Sequence, residues 1–75
     1  MRFIEMTGRT LSAILTVDEL RPHDLTSAGV RDDTIVRVNE HGDIEVRRKN
    51  RWDVIGGLLG NYEMRIKERT GMDWA

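Results

Sequence analysis

The chain contains no cysteine. That absence removes disulfides, thiolate-ligated zinc and cysteine nucleophiles together. No apolar h-region follows Met1-Arg2-Phe3-Ile4-Glu5, so the sequence reads without a signal peptide. The longest apolar stretch, Val54 to Gly60, is far too short to span a bilayer. No Walker or dinucleotide glycine pattern occurs. Ser12 and Ser27 lack a glycine-rich elbow, and His23 and His41 lack a two-histidine metal spacing. The acidic pairs Asp18-Glu19 and Asp32-Asp33 read as caps or turn residues ahead of regular elements. These absences point away from an enzyme, a cofactor, a metal, a membrane span and a small-molecule substrate. They leave a cytoplasmic location as the default expectation.

What is present is charge and pattern. Seventy-five residues make a single small soluble domain, 1–75, without a separate linker. A domain of this size buries only about 60% of the surface that its unfolded chain exposes, so its core is thin and self-association would help it. Charged residues make up 33% and apolar residues 39%, but the apolar ones are patterned as in a folded domain. Charge is divided along the chain. Residues 1–46 hold 5 Arg and 9 Asp/Glu, whereas residues 47–75 hold 7 Lys/Arg and 4 Asp/Glu. A net charge of −1 conceals this switch, which falls at Arg47-Arg48-Lys49-Asn50-Arg51-Trp52.

The pattern predicts an α+β fold. A first strand is expected at about 2–6. Residues 10–15 fit either a short helix or an irregular strand, because Leu11, Ile14 and Leu15 share a helical face. Thr16 and Glu19 have capping-box spacing, enough for one turn. Pro22 suits the first turn of a helix ending near Ala28, with Gly29 beyond it, and Leu20, Leu25 and Val30 would dock these turns on the sheet. The clearest signal is an antiparallel hairpin over about 34–38 and 43–48, turned at Gly42. It places Val36, Val38, Ile44 and Val46 in the core and Arg37, Glu45 and Arg47 outside.

From Trp52 the period changes. Trp52, Ile55, Leu59, Tyr62 and Ile66 step by three and four, predicting an amphipathic helix over about 52–69 that packs on the sheet and stops at Thr70-Gly71. Asp53 would lie in its first turn, Arg69 in its last, and Glu63 and Lys67 would pair. Gly56, Gly57 and Gly60 oppose this reading, since each costs about 1 kcal/mol in a helix relative to alanine. A rival parse ends the helix at Gly60 and makes 62–67 a strand. If the helix holds, the glycines would serve close packing within the monomer or at a homodimer seam.

Two functional classes follow. The first is a non-catalytic protein-interaction or self-association module, with an exposed apolar patch drawn from Trp52, Leu58, Met64 and Trp74 and with another protein or a second copy as partner. Trp74 is also expected to dock on the helix or sheet rim. The alternative is a small nucleic-acid-binding protein using Arg47, Lys49, Arg51, Arg65 and Arg69. In that reading Trp52 could stack on a base, although its place at the head of the apolar stripe argues for the core.

Overall fold

Alternation over Phe3–Thr7 (β1) turns Ile4 and Met6 inward and Phe3 and Glu5 outward. The computed structural model describes residues 1–74. Thr7 ends the strand and caps the next element: its hydroxyl accepts the Thr10 N–H at 3.2 Å. The helix Gly8–Ile14 (α1) follows directly and buries Gly8, Leu11 and Ile14, so the ambiguous stretch is helical and begins earlier than expected. A side chain at Gly8 has no room. Its Cβ would collide with the Arg31 carbonyl oxygen.

The Thr16–Glu19 signal makes only a turn, closed by the Thr16 N–H donating to Glu19 Oε1 at 2.8 Å. Pro22 opens the helix Pro22–Ser27 (α2). Gly29 follows it with φ of 79°, the left-handed position anticipated for it. Leu25 and Val30 are buried, and the half-buried Leu20 packs against the same core.

The strands Ile35–Asn39 (β2) and Asp43–Arg47 (β3) form the expected hairpin around Gly42. Val36, Val38, Ile44 and Val46 are all buried at its centre. The last third differs from the sequence expectation. Trp52–Gly57 is a strand (β4) paired antiparallel to β3, and the helix (α3) spans only Tyr62–Thr70. The reason is local. Arg48 N–H donates to the Arg51 carbonyl at 2.7 Å, closing a tight turn that returns the chain alongside β3.

The glycines then find separate uses. Gly56 lies beside Leu20, where an added Cβ would meet three side-chain atoms at 3.1 Å. Gly57 has no such close neighbour, and Gly60 takes a φ of 65° in the turn before α3. Of these three, close packing belongs to Gly56 alone, and Gly60 breaks any continuous helix. Ile55 is an extra residue in the ladder, since Glu45 faces Val54 and Ile44 faces Gly56. Leu58 donates its N–H to the Gly42 carbonyl at 2.7 Å and turns into the core.

Helix α3 ends as anticipated, with Gly71 at φ 76° and its N–H on the Lys67 carbonyl. Lys67 pairs with Asp73 at 3.5 Å. The expected i,i+4 partner Glu63 sits in the first turn of the helix, and Asp53 sits in β4. Sheet order is β1-β2-β3-β4, antiparallel throughout. Leu11, Ile14, Leu25 and Ile66 join the inward strand residues in one core, so the helices share a single sheet face. Among the described residues no helix is long and apolar enough to cross a membrane.

Candidate functional site

With the helices on one side, the other side of the sheet is uncovered. The registers assign its side chains: Phe3 and Glu5 from β1, Ile35, Arg37 and Asn39 from β2, Asp43, Glu45 and Arg47 from β3, Trp52 and Val54 from β4. At its centre Arg37 and Glu45 are direct cross-strand partners. The guanidinium donates to Glu45 Oε1 from Nη2 at 2.9 Å and from Nε at 3.1 Å.

The same guanidinium lies over two rings, 3.7 Å from the Phe3 centroid and 4.1 Å from that of Trp52. Arg37 thus links aromatic groups from the two edge strands across the whole sheet. Arg47 approaches Trp52 more loosely, at 5.7 Å. Asn39 completes the network. Its Nδ2 donates to Asp43 Oδ2 and Glu45 Oε2 at 3.1 and 3.2 Å, and its Oδ1 accepts the His41 and Asp43 N–H groups. The buried polar side-chain atoms among the described residues all have partners.

Around this polar centre apolar groups stand in solvent. Phe3 is 38% exposed, Ile35 43% and Val54 59%. The face therefore combines a charged centre with an apolar rim and carries one more carboxylate than cation: Arg37 and Arg47 against Glu5, Asp43 and Glu45.

The residues singled out in the sequence are dispersed by the fold. Trp52 lies on the open face, half-buried beneath Arg37. Leu58, expected in an exposed patch, is 7% exposed within the core, because the β4–α3 turn directs it inward. Met64 is exposed on α3, and Trp74 is half-buried against the core. Phe3, Ile35 and Val54 were not anticipated. Alternation in β1 was blurred by the adjacent Phe3 and Ile4, and Val54 lay hidden in the helical reading.

The five basic candidates separate likewise. Arg47 at the end of β3 and Lys49 and Arg51 in the β3–β4 turn are exposed. Arg65 instead faces the helix layer. Its Nη1 donates to Glu19 Oε1 and the Ile14 carbonyl at 2.7 and 2.8 Å, and its Nη2 to Glu19 Oε2 and the Leu59 carbonyl at 2.6 and 3.0 Å. Arg69 donates to the Ala13 carbonyl at 3.0 Å. Both arginines thereby satisfy carbonyls at the C-terminal end of α1.

Glu19 also accepts the Leu59 and Thr16 N–H groups at 2.6 and 2.8 Å, and its side chain is fully buried. Burial raises its pKa, but the Arg65 hydrogen bonds and the two backbone donors outweigh that and hold it at about 2. The same hydrogen bonds move the Arg65 pKa upward. This cluster ties the α1–α2 linker to the β4–α3 turn.

His23 and His41 are exposed, and among the described residues no three His, Cys, Asp or Glu side chains converge on a metal position. No protein-family model, curated protein or solved structure matches the chain.

Proposed function

We propose that this chain is a non-catalytic self-association module that pairs with a second copy through the uncovered face of its sheet. The observation carrying this reading is the exposure of Phe3, Ile35 and Val54 around the stacked Phe3–Arg37–Trp52 centre. A partner that covers this face removes apolar surface from water at little cost, because the polar groups at its centre are already satisfied. The mixed charge of the face, with carboxylates in excess by one, favours a second copy over a polyanion: the carboxylates repel phosphates, and a two-fold axis could set Glu5 against Arg47 of the other copy.

Size sets the strength. Four strands of about five residues give a face of about 19 by 17 Å. That is small beside the ~800 Å² per partner of a standard interface, so the dimer is weak and concentration-dependent. A chain without cysteine suits the reducing cytoplasm, and the proposal places it there. Sedimentation equilibrium across a concentration series tests the reading. The 8.7 kDa chain should shift toward twice that mass at high micromolar concentration. Val54→Lys, which sets a cation opposite Glu45 on the open face, should restore the monomer. A wild-type monomer throughout the series would sink the proposal.

A further inference from the structure

We propose that the β3–β4 turn is a site for the phosphodiester backbone of a nucleic-acid duplex. The site lies apart from the centre of the open sheet face and shares only Arg47 with it, whereas Lys49 and Arg51 lie in the turn beyond that face.

Four cations fall within five consecutive residues, Arg47, Arg48, Lys49 and Arg51 with Asn50 between them. They do different jobs. Arg48 is structural: its Nη1 donates to the Ala28 carbonyl at 2.9 Å, its Nε reaches Asp53 at 3.4 Å, and its N–H closes the turn onto Arg51. The other three are exposed, and among the described residues none of them has a carboxylate within 4.0 Å. A pinned turn therefore presents Arg47, Lys49 and Arg51 around a shallow depression of about 180 Å³. Like charges held this close repel one another, and an anion relieves that repulsion.

The surroundings extend the field. The register places Thr7, Ile35, Arg47 and Trp52 at one end of the sheet. Arg9 and Arg31 are exposed at this end too, since the Arg9 N–H donates to the Asp32 carbonyl just ahead of β2. Asp32 and Asp33 oppose them there, and Asp53 is taken by Arg48. The six cations Arg9, Arg31, Arg47, Arg48, Lys49 and Arg51 outnumber the carboxylates of Asp32, Asp33 and Asp53 in a chain whose overall charge is −1.

The chemistry selects the ligand. Two guanidinium forks suit phosphate oxygens. The turn 48–51 has no apolar side chain to enter the acyl region of a bilayer, which disfavours a lipid surface. Arg37 already lies over the Trp52 ring, so stacking on splayed bases is disfavoured and a duplex backbone is preferred to a single strand. With no base-reading group committed, recognition is independent of sequence.

The test is fluorescence anisotropy of a labelled mixed-sequence DNA duplex of about 20 base pairs, titrated with the full chain at several salt concentrations. Three phosphate contacts predict a log–log salt slope of about −2.7, a loss of about 40-fold in affinity between 50 and 200 mM salt. Lys49→Gln with Arg51→Gln should reduce that slope to about −0.9, while Lys67→Gln on α3 should leave it unchanged. Circular dichroism of the variants confirms that the fold is kept, and the wild-type slope requires no variant. Absence of binding at 50 mM salt, an unchanged slope in the double variant, or tighter binding to phosphatidylserine vesicles than to the duplex would each overturn the proposal.

Discussion

The carboxylate of Glu19 and the guanidinium of Arg65 form a two-pronged pair at 2.6 and 2.7 Å, joining the α1–α2 linker to α3 across 46 residues of sequence. Its consequence is a pH dependence of defined sign. A carboxylate with a folded pKa of about 2, well below its ordinary 4.5, binds protons less readily in the native state than in the unfolded chain. It contributes about 3 kcal/mol that is fully present above about pH 5 and is lost as pH falls toward 2. Urea unfolding at pH 7 and pH 3 should show about 2 kcal/mol of that loss, since pH 3 still lies above the folded pKa. Glu19→Gln should be destabilised at pH 7 by a comparable amount and should show a correspondingly smaller pH effect.

Removing the guanidinium of Arg37 leaves Glu45 buried without its ion partner and uncovers Trp52. Arg37→Ala should lower stability by about 2–3 kcal/mol in urea and shift Trp52 fluorescence toward the emission of a hydrated indole. Arg37→Lys should recover only part of this, because an ammonium cannot stack between two rings while pairing with the carboxylate through a planar fork.

Two glycines should respond differently to the same methyl group. Gly8→Ala drives a Cβ against the Arg31 carbonyl and should cost about 3 kcal/mol or more. Gly57→Ala meets nothing nearer than 3.8 Å and should stay within about 1 kcal/mol of wild type. The separation of their urea midpoints measures the contrast.

Leu58 and Met64 provide a comparable contrast outside the sheet. Leu58→Ala opens a cavity in a thin core and should cost about 2–5 kcal/mol. Met64→Ala on the exposed side of α3 should change stability by about 0.5 kcal/mol at most. Thermal or urea denaturation distinguishes them.

The sequence was most legible where a single period governed a whole element. Val36, Val38, Ile44 and Val46 alternate without interruption, and the hairpin that they describe is the one that forms. The last third carried two elements beneath one apparent stripe. Trp52 lies on the open face, Ile55 occupies the bulge, Leu59 is exposed and Ile66 is in the core, yet their spacing satisfies a helix. The glycines were the contrary signal, since a strand followed by a turn accommodates Gly56, Gly57 and Gly60 more readily than a helix interior. The apolar rim escaped notice because it depends on register: Phe3 and Val54 belong to opposite edge strands, brought to one face by pairings that no local pattern reveals. The partners of Arg65 and Arg69 were hidden likewise, because the acceptors on Glu19, Ile14 and Ala13 are remote in sequence.

The central proposal is pairing of two copies through the open sheet face. Isotope-filtered NMR on a mixture of labelled and unlabelled chains tests it most directly, because it records contacts between copies side chain by side chain. The account predicts intermolecular signals from the methyl groups of Ile35 and Val54 and from the rings of Phe3 and Trp52. Intermolecular signals confined to Met64 and Leu59, or none at high concentration, would contradict it.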